Sequence, residues 1–161
     1  MIPGRILVGN GDGTYLLKFV GDVRLSLGAA FDEFLDRLFR DRNLRSVLVD
    51  LSRTDAIDST SLGALARLSL QAQKRLGCMP TLVSTQPDIN RLLITMGFDD
   101  IFHVVHEPLK DTRQLGELPK SDLAACELRR RVLAAHRHLM ALNESNREEF
   151  EDLVATLEAA E

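Results

Sequence analysis

The chain is organised around the stretch Asp58-Ser59-Thr60-Ser61-Leu62-Gly63, which joins an apolar run to a long amphipathic segment. Upstream, Ser46-Val47-Leu48-Val49-Asp50-Leu51 is apolar and β-branched, a pattern typical of a short buried parallel strand. Downstream, apolar residues recur at three- and four-residue steps as far as Gly77, which predicts a helix that ends there. We therefore predict a strand, a short loop and a helix, which together form half of a crossover unit.

The helix is expected to begin inside this stretch. Asp58 is predicted at or near the N-cap, and Ser59, Thr60 and Ser61 then fall in the first turn, where backbone N–H groups have no intrahelical partner. Ordinary helix capping is one interpretation of three hydroxyl side chains at a helix start. A working site is the other interpretation, and the surrounding pattern favours it.

That pattern is a set of short motifs spread over most of the chain. They are Asp50-Leu51-Ser52 with Asp58-Ser59-Thr60 and Leu62-Gly63, an earlier Gly21-Asp22-Val23, and a later Met96-Gly97-Phe98-Asp99-Asp100-Ile101-Phe102. Taken as a set, these motifs resemble the STAS-domain anti-sigma factor antagonists, also called anti-anti-sigma factors. The resemblance covers roughly residues 4 to 107.

The resemblance implies a phosphorylation switch. In that family the first hydroxyl after the Asp accepts phosphate, which implies Ser59 as the acceptor and Thr60 as the runner-up. It also implies that the unmodified form binds an anti-sigma factor, that a HATPase-type Ser/Thr kinase silences it, and that a PP2C-type phosphatase restores it. The partner-binding residues so implied are Asp22, Asp58, Ser59, Thr60, Ser61, Leu62 and Gly63.

Two positions depart from the family's usual pattern. Ser61 stands where the family usually has Gly, and Arg24 follows Gly21-Asp22-Val23 where an acidic residue is common. Both departures lie at the implied partner-binding site.

The remaining periodicity predicts an α/β domain with a mixed sheet. Residues 5–9 and 14–20 are strand-like and flank a turn sequence, Asn10-Gly11-Asp12-Gly13, so the chain is expected to open with an antiparallel hairpin. A helix is predicted over about 26–42, and strands alternate with helices thereafter. A STAS-like mixed β-sheet packed by α-helices is also the fold that the resemblance implies, and we assign it to residues 1–108.

Residues 109–161 are predicted to form a helical C-terminal extension without strands. The first helix carries an apolar seam, and a capping box, Ser145-Asn146-Arg147-Glu148, is expected to start the second. The extension is similar to that of the longer anti-anti-sigma proteins of Hpt-linked pathways. Its apolar faces leave three alternatives open: folding back on the domain, pairing with a second copy as a homo-oligomer, or accepting a partner helix.

Composition argues against several other classes. The net charge of −4 and pI near 5.6 give no basic face for nucleic acid. Cys78 and Cys126 are far apart and lack the spacing of a metal or redox site, so we expect free thiols, no metal and no cofactor. Because the sequence has no run of about 18 apolar residues, we expect a cytoplasmic protein without a membrane segment.

Catalysis is not predicted. No His lies near Ser59 in the sequence, and Ser59 is not in a Gly-x-Ser-x-Gly elbow. The charges of Asp32, Asp36 and Arg40, and the run from Arg129 to Arg131, are interpreted as solvated helix faces. The alternative to a phosphorylation switch is a non-switching STAS scaffold, a subunit of a membrane transport complex or of a stressosome-like assembly.

Overall fold

A mixed β-sheet of six strands forms the centre of the protein in its computed structural model, which describes residues 2–110, 113–120 and 122–160. The strands are β1 (Arg5–Gly11), β2 (Thr14–Val23), β3 (Ser46–Ile57), β4 (Thr81–Val83), β5 (His103–Val105) and β6 (Gly116–Glu117). The helices are α1 (Leu25–Leu38), α2 (Ser59–Leu76), α3 (Pro87–Thr95), α4 (Ala125–Met140) and α5 (Glu144–Ala159). The strand order is β5-β4-β3-β2-β1-β6, and the fold is α/β, as predicted.

The predicted opening hairpin is confirmed. β1 and β2 pair antiparallel from Arg5 opposite Val20 to Gly11 opposite Thr14. The two residues of the turn, Asp12 and Gly13, have positive φ angles of 54° and 85°, which is the conformation that a tight hairpin turn requires. β2 then pairs in parallel with β3, and β3 with β4 and β4 with β5, so only the β1 side of the sheet is antiparallel.

β3 is twice as long as its apolar run predicts. It continues from Leu51 to Ile57 because its second half stays paired with β2, with two register shifts, until Ile57 lies beside Val23. The hydroxyl of Thr54 donates to the carbonyl of Phe19 at 2.8 Å within this segment. The prediction of a short loop before α2 is therefore wrong. β3 ends at Ile57, directly before Asp58, at the carboxyl end of the sheet.

A single apolar core joins the sheet to α1 and α2. Phe19 of β2 meets Phe31 of α1 edge to face, with ring centroids 4.9 Å apart. Two C-terminal side chains, Leu139 and Phe150, belong to the same cluster of buried residues. The core therefore extends beyond the residues that the sequence assigned to the domain.

The segment after residue 109 contains one strand that sequence patterning missed. Gly116 and Glu117 form β6, which pairs antiparallel with Val8 and Leu7 of β1. The N–H of Leu118 also donates to the carbonyl of Ile6 at 2.8 Å. A two-residue strand has no readable periodicity, and its position is set by the unpaired edge of β1. The expectation of an extension without strands is wrong, while the domain boundary at residue 108 stays a prediction.

α4 and α5 form an antiparallel pair, here called the C-terminal hairpin (residues 125–159), and it folds back on the domain with α4 against α2. Asn143 caps α5, because its side chain accepts a hydrogen bond from the N–H of Asn146 at 2.8 Å. The predicted capping box, with Ser145 as its first residue, is wrong by two positions. Of the three alternatives for these helices, the structure shows the first.

Burial of Leu139 predicts that the hairpin contributes to global stability. Its side chain is fully buried, so Leu139→Ala should lower the free energy of unfolding by about 2–5 kcal/mol, the range for a cavity in a packed core. The measurement is urea unfolding followed by circular dichroism. The matched control is Leu153→Ala on α5, where the side chain is 41% exposed and a change within about 0.5 kcal/mol is expected. Equal effects in the two variants would show that α4 does not dock as described.

Candidate functional site

The site is built at the first turn of α2, where β3 ends. Asp58 is the N-cap residue and accepts a hydrogen bond from the N–H of Ser61 at 2.9 Å, as predicted. The N–H of Asp58 itself donates to the carbonyl of Val23 at 3.1 Å, which ties the helix start to the end of β2. The position of Ser59, the first residue of the helix, is therefore fixed by hydrogen bonds of the residues on both sides of it.

The side chain of Ser59 contacts a histidine from the C-terminal hairpin. Ser59 is half-buried, and its Oγ lies 2.8 Å from Nε2 of His136 on α4. The other ring nitrogen, Nδ1, lies 2.7 Å from the carbonyl oxygen of Val132, one turn earlier in α4. A carbonyl only accepts, so Nδ1 carries the hydrogen, and in the neutral ring Nε2 accepts a hydrogen bond from the Ser59 hydroxyl.

His136 is buried and held from its other face. Its residual exposure is 2%, and the ring of Phe150 on α5 meets it edge-on with centroids 5.2 Å apart. Sequence proximity to Ser59 does not reveal His136, because 77 positions separate the two residues. The one signal available was a polar ring within the apolar face of α4, between Ala135 and Leu139.

α4 approaches α2 most closely one turn after Ser59. At Gly63 an added Cβ would overlap the carbonyl oxygen of Ala135, so α4 lies directly on the α2 backbone at this point. Leu62 is 1% exposed and Gly63 is buried in the same region. The absence of a side chain at position 63 is what permits this approach.

The seven residues implied as a partner-binding set fall into an outer and an inner group. Asp22, Asp58 and Ser59 are half-buried at the carboxyl edge of the sheet, whereas Thr60, Ser61, Leu62 and Gly63 are buried. Thr60, the runner-up acceptor, is 6% exposed.

The two departures from the family pattern have structural counterparts. Ser61 is fully buried against α1, where an added Cβ at Gly28 would overlap its Oγ, so a glycine on the neighbouring helix leaves room for it. Arg24 donates from Nε to Asp22 at 2.7 Å. This hydrogen bond and the charge of Asp22, together with the charge of Asp58, raise the pKa of Arg24. The edge of the site therefore pairs acidic with basic groups.

A second set of contacts holds α4 against both α1 and α2. Asp32 and Asp36 of α1 face Arg67 of α2 and Arg131 of α4, four residues here called the ionic cluster. Each guanidinium reaches both carboxylates, and Arg131 does so at 2.8 Å and 3.2 Å. Asp32 is 7% exposed, so the prediction that Asp32, Asp36 and Arg131 belong to solvated faces is wrong. Sequence spacing within one helix could not reveal a cluster shared by three helices.

Charge pairing within the cluster outweighs the cost of burial. Burial alone opposes ionisation of Asp36, but hydrogen bonds and charges of Arg67 and then Arg131 hold the pKa of that carboxyl below its usual value. Burial likewise opposes the charged form of Arg131, and Asp32 and Asp36 nevertheless raise its pKa. The charged forms of Asp36 and Arg131 are therefore favoured when α4 is docked.

The turn between α4 and α5 is attached to α3. The buried side chain of Asn146 donates to the carbonyl oxygens of Met96, at 2.8 Å, and of Leu139, at 2.9 Å. The carbonyl of Met96 closes α3 and would otherwise lack a helical partner. The hairpin is thus held at three places: the ionic cluster, the contact of α4 with Ser59 and Gly63, and this turn.

Comparison with known proteins now places the fold in a family. The family model of the STAS domain matches residues 8–114. The chain belongs to the STAS domain family. Its structure is similar to the crystal structure of an anti-sigma factor antagonist from Mycobacterium paratuberculosis, with a TM-score of 0.53 and 22% identity over 68% of this chain and 89% of that chain. None of the curated proteins matches the chain.

The STAS match ends before the C-terminal hairpin begins, so the residues of the hairpin that contact Ser59 lie outside the matched region. Within the described ranges, no three His, Cys, Asp or Glu residues lie together as a metal site would require. Over the same ranges, every helix is too short or too polar to cross a bilayer. The chemically distinctive group at this site is a serine hydroxyl within hydrogen-bond distance of a buried imidazole.

Removal of one member of the ionic cluster is expected to loosen α4. Arg131→Ala leaves Asp32 and Asp36 with one guanidinium instead of two and should lower the free energy of unfolding by about 1–3 kcal/mol. The adjacent Arg130 is 74% exposed, so Arg130→Ala removes the same charge at little cost and serves as the control. Urea unfolding of both variants checks this prediction, and an equal loss in both would contradict the role given to the cluster.

Proposed function

We propose that this STAS domain protein is an anti-sigma factor antagonist regulated by reversible phosphorylation of Ser59. In its unmodified form it binds an anti-sigma factor in the cytoplasm and so releases a sigma factor. A HATPase-type Ser/Thr kinase inactivates it, and a PP2C-type phosphatase reactivates it. The protein is accordingly a substrate of regulatory enzymes rather than a catalyst.

The observation that carries this proposal is the position of Ser59. It is the first residue of α2, it directly follows the N-cap Asp58, and it retains partial exposure at the carboxyl edge of the sheet. Thr60 is 6% exposed, which supports Ser59 over the runner-up. The similar protein from Mycobacterium paratuberculosis is itself described as an anti-sigma factor antagonist.

A phosphate at this position suits a switch that leaves the domain folded. Phosphorylation adds about −1.5 to −2 charges, and the free N–H groups and dipole of a helix N-terminus stabilise negative charge. The surface that a partner meets changes more than the interior does. A partner fitted to a neutral hydroxyl beside Asp58 then meets charge repulsion and the cost of burying an unmatched phosphate.

The covalent step is a phosphoryl transfer with ATP as the donor. Oγ of Ser59 attacks the γ-phosphorus, an O–P bond forms, the bond from that phosphorus to the β–γ bridging oxygen breaks, and ADP leaves. The hydroxyl proton passes to a base. In the reverse direction water attacks the phosphoserine, and inorganic phosphate leaves as the serine hydroxyl is restored.

A second candidate function is a STAS scaffold that does not switch, in a transport complex or a stressosome-like assembly. The docked hairpin favours it, because α4 covers Gly63 and engages the hydroxyl of Ser59. A scaffold needs no access to that hydroxyl. The two candidates differ in whether Ser59 accepts phosphate.

Phosphate mapping separates the two functions. We expect incubation with ATP and the HATPase-type kinases of the same organism, each purified singly, to label Ser59, as located by mass spectrometry. Ser59→Ala should abolish the label, and Thr60→Ala, which removes a buried hydroxyl and its neighbouring methyl group, should retain it. The labelled protein should bind its anti-sigma factor at least about tenfold more weakly, because an unmatched charge at an interface costs over 1 kcal/mol.

Absence of label at Ser59 with every such kinase would leave the scaffold as the function. Label on Thr60 that persists in Ser59→Ala would contradict the choice of acceptor. Undiminished binding after stoichiometric phosphorylation would contradict the electrostatic switch, even with Ser59 as the acceptor.

A further inference from the structure

We propose that the C-terminal hairpin is an intramolecular gate over Ser59. Docked, α4 occupies the face of α2 that a kinase or an anti-sigma factor must reach; undocked, that face is open. This inference rests on the proposed function, because it concerns access to the same hydroxyl. It assigns a role to the part of the chain that lies outside the STAS match.

The docked hairpin forms a hydrogen bond with the hydroxyl that would be phosphorylated. The hydroxyl of Ser59 donates to Nε2 of His136 at 2.8 Å. The other ring nitrogen, Nδ1, donates to the carbonyl oxygen of Val132, so Nε2 is the nitrogen that accepts. Phosphorylation replaces the hydroxyl hydrogen, so the ester oxygen can only accept. Two acceptors would then face each other at hydrogen-bond distance, and the docked arrangement loses this contact.

The docked hairpin also blocks access sterically. Gly63 and Ala135 leave no space between the backbones of α2 and α4, and His136 beside them is 2% exposed. A partner that contacts Gly63 therefore cannot bind while α4 stays in place. A phosphate on Ser59 would also place about two negative charges against this dry interface.

The hairpin is attached to the domain partly by polar contacts that can be broken without unfolding the sheet. The ionic cluster is open to solvent on the Asp36 side, where the carboxylate is 40% exposed, and the turn is held by amide side chains on the carbonyl of Met96. Such polar contacts compete with water, and low-energy local opening is typical of elements attached in this way. The apolar contribution of α4 sets the population of the docked form.

Such a gate relates the accessibility of Ser59 to the fraction of molecules in which the hairpin is undocked. If only a fraction of molecules is undocked, the apparent affinity and the labelling rate equal those of the undocked form multiplied by that fraction. Loosening the hairpin should therefore raise the apparent affinity and the labelling rate. Phosphorylation should in turn keep the hairpin undocked, since docking and phosphorylation of Ser59 exclude each other.

The first test needs no kinase or partner. Phosphoserine is installed at position 59 of the full chain by genetic code expansion, and amide hydrogen exchange of residues 125–140 is followed by mass spectrometry. We expect exchange in α4 to become at least about tenfold faster than in the unmodified chain, while exchange in β2 and β3 is unchanged. Phosphoserine at the exposed Ser145, on the hairpin but away from α2, is the matched control and should change nothing in α4.

Unchanged or slower exchange in α4 with phosphoserine at 59 would overturn the gate. Slower exchange in particular would mean that a protonated His136 pairs with the phosphate and holds the hairpin closed. Either result leaves Ser59 intact as a phosphorylation site, so failure of the gate is distinguishable from failure of the proposed function.

The second test measures access directly. Ala135→Glu places a carboxylate in the buried contact with α2, and Ala155→Glu makes the same change on the exposed side of α5. With a kinase that labels Ser59, we expect Ala135→Glu to be labelled about tenfold faster than wild type and Ala155→Glu at the wild-type rate. Circular dichroism and exchange in the sheet confirm that both variants are folded.

Equal labelling rates for wild type and Ala135→Glu would overturn the gate while leaving the acceptor role of Ser59 in place. A second pair of variants tests docking through the ionic cluster instead of the apolar contact. Arg131→Ala removes a member of the cluster, and Arg130→Ala is its exposed control. The gate predicts faster labelling in the former and wild-type labelling in the latter, and the reverse order would also overturn it.

Discussion

The structure depends on how closely α4 lies on α2. This approach is possible because position 63 carries no side chain, so the backbone of α4 at Ala135 rests on the backbone of α2. The same approach brings His136 within 2.8 Å of Ser59 and aligns Arg131 with Asp32 and Asp36. A side chain at 63 would separate the helices and disturb both sets of contacts together.

The parts of the fold that sequence patterning predicted are those with local causes. The turn at Asp12 and Gly13, the N-cap at Asp58 and the end of α2 at Gly77 each follow from preferences within a few residues. The full length of β3 and the existence of β6 follow instead from pairing with strands elsewhere in the chain. Hydrophobic periodicity within a segment does not indicate which strands pair, so neither the length of β3 nor the presence of β6 was predicted.

The candidate site divides in the same way. Asp58 and Ser59 were predicted from the residues beside them, whereas His136 and the ionic cluster come from segments far apart in sequence. The Arg129 to Arg131 run shows why. Its pattern is that of a solvated helix face, and for Arg130 this is correct, but Arg131 turns toward α1 and α2. Which arginine of the run is buried is decided by docking and not by composition.

Docking of the hairpin and access to Ser59 are linked by one contact, the hydrogen bond between the hydroxyl of Ser59 and His136. Nitrogen-15 NMR of the imidazole ring in the full chain tests it most directly, with the resonances assigned through His136→Gln. We expect hydrogen on Nδ1, and an Nε2 resonance that shifts in Ser59→Ala while Nδ1 remains bonded to Val132. A ring that exchanges freely between tautomers and is unaffected by Ser59→Ala would contradict it.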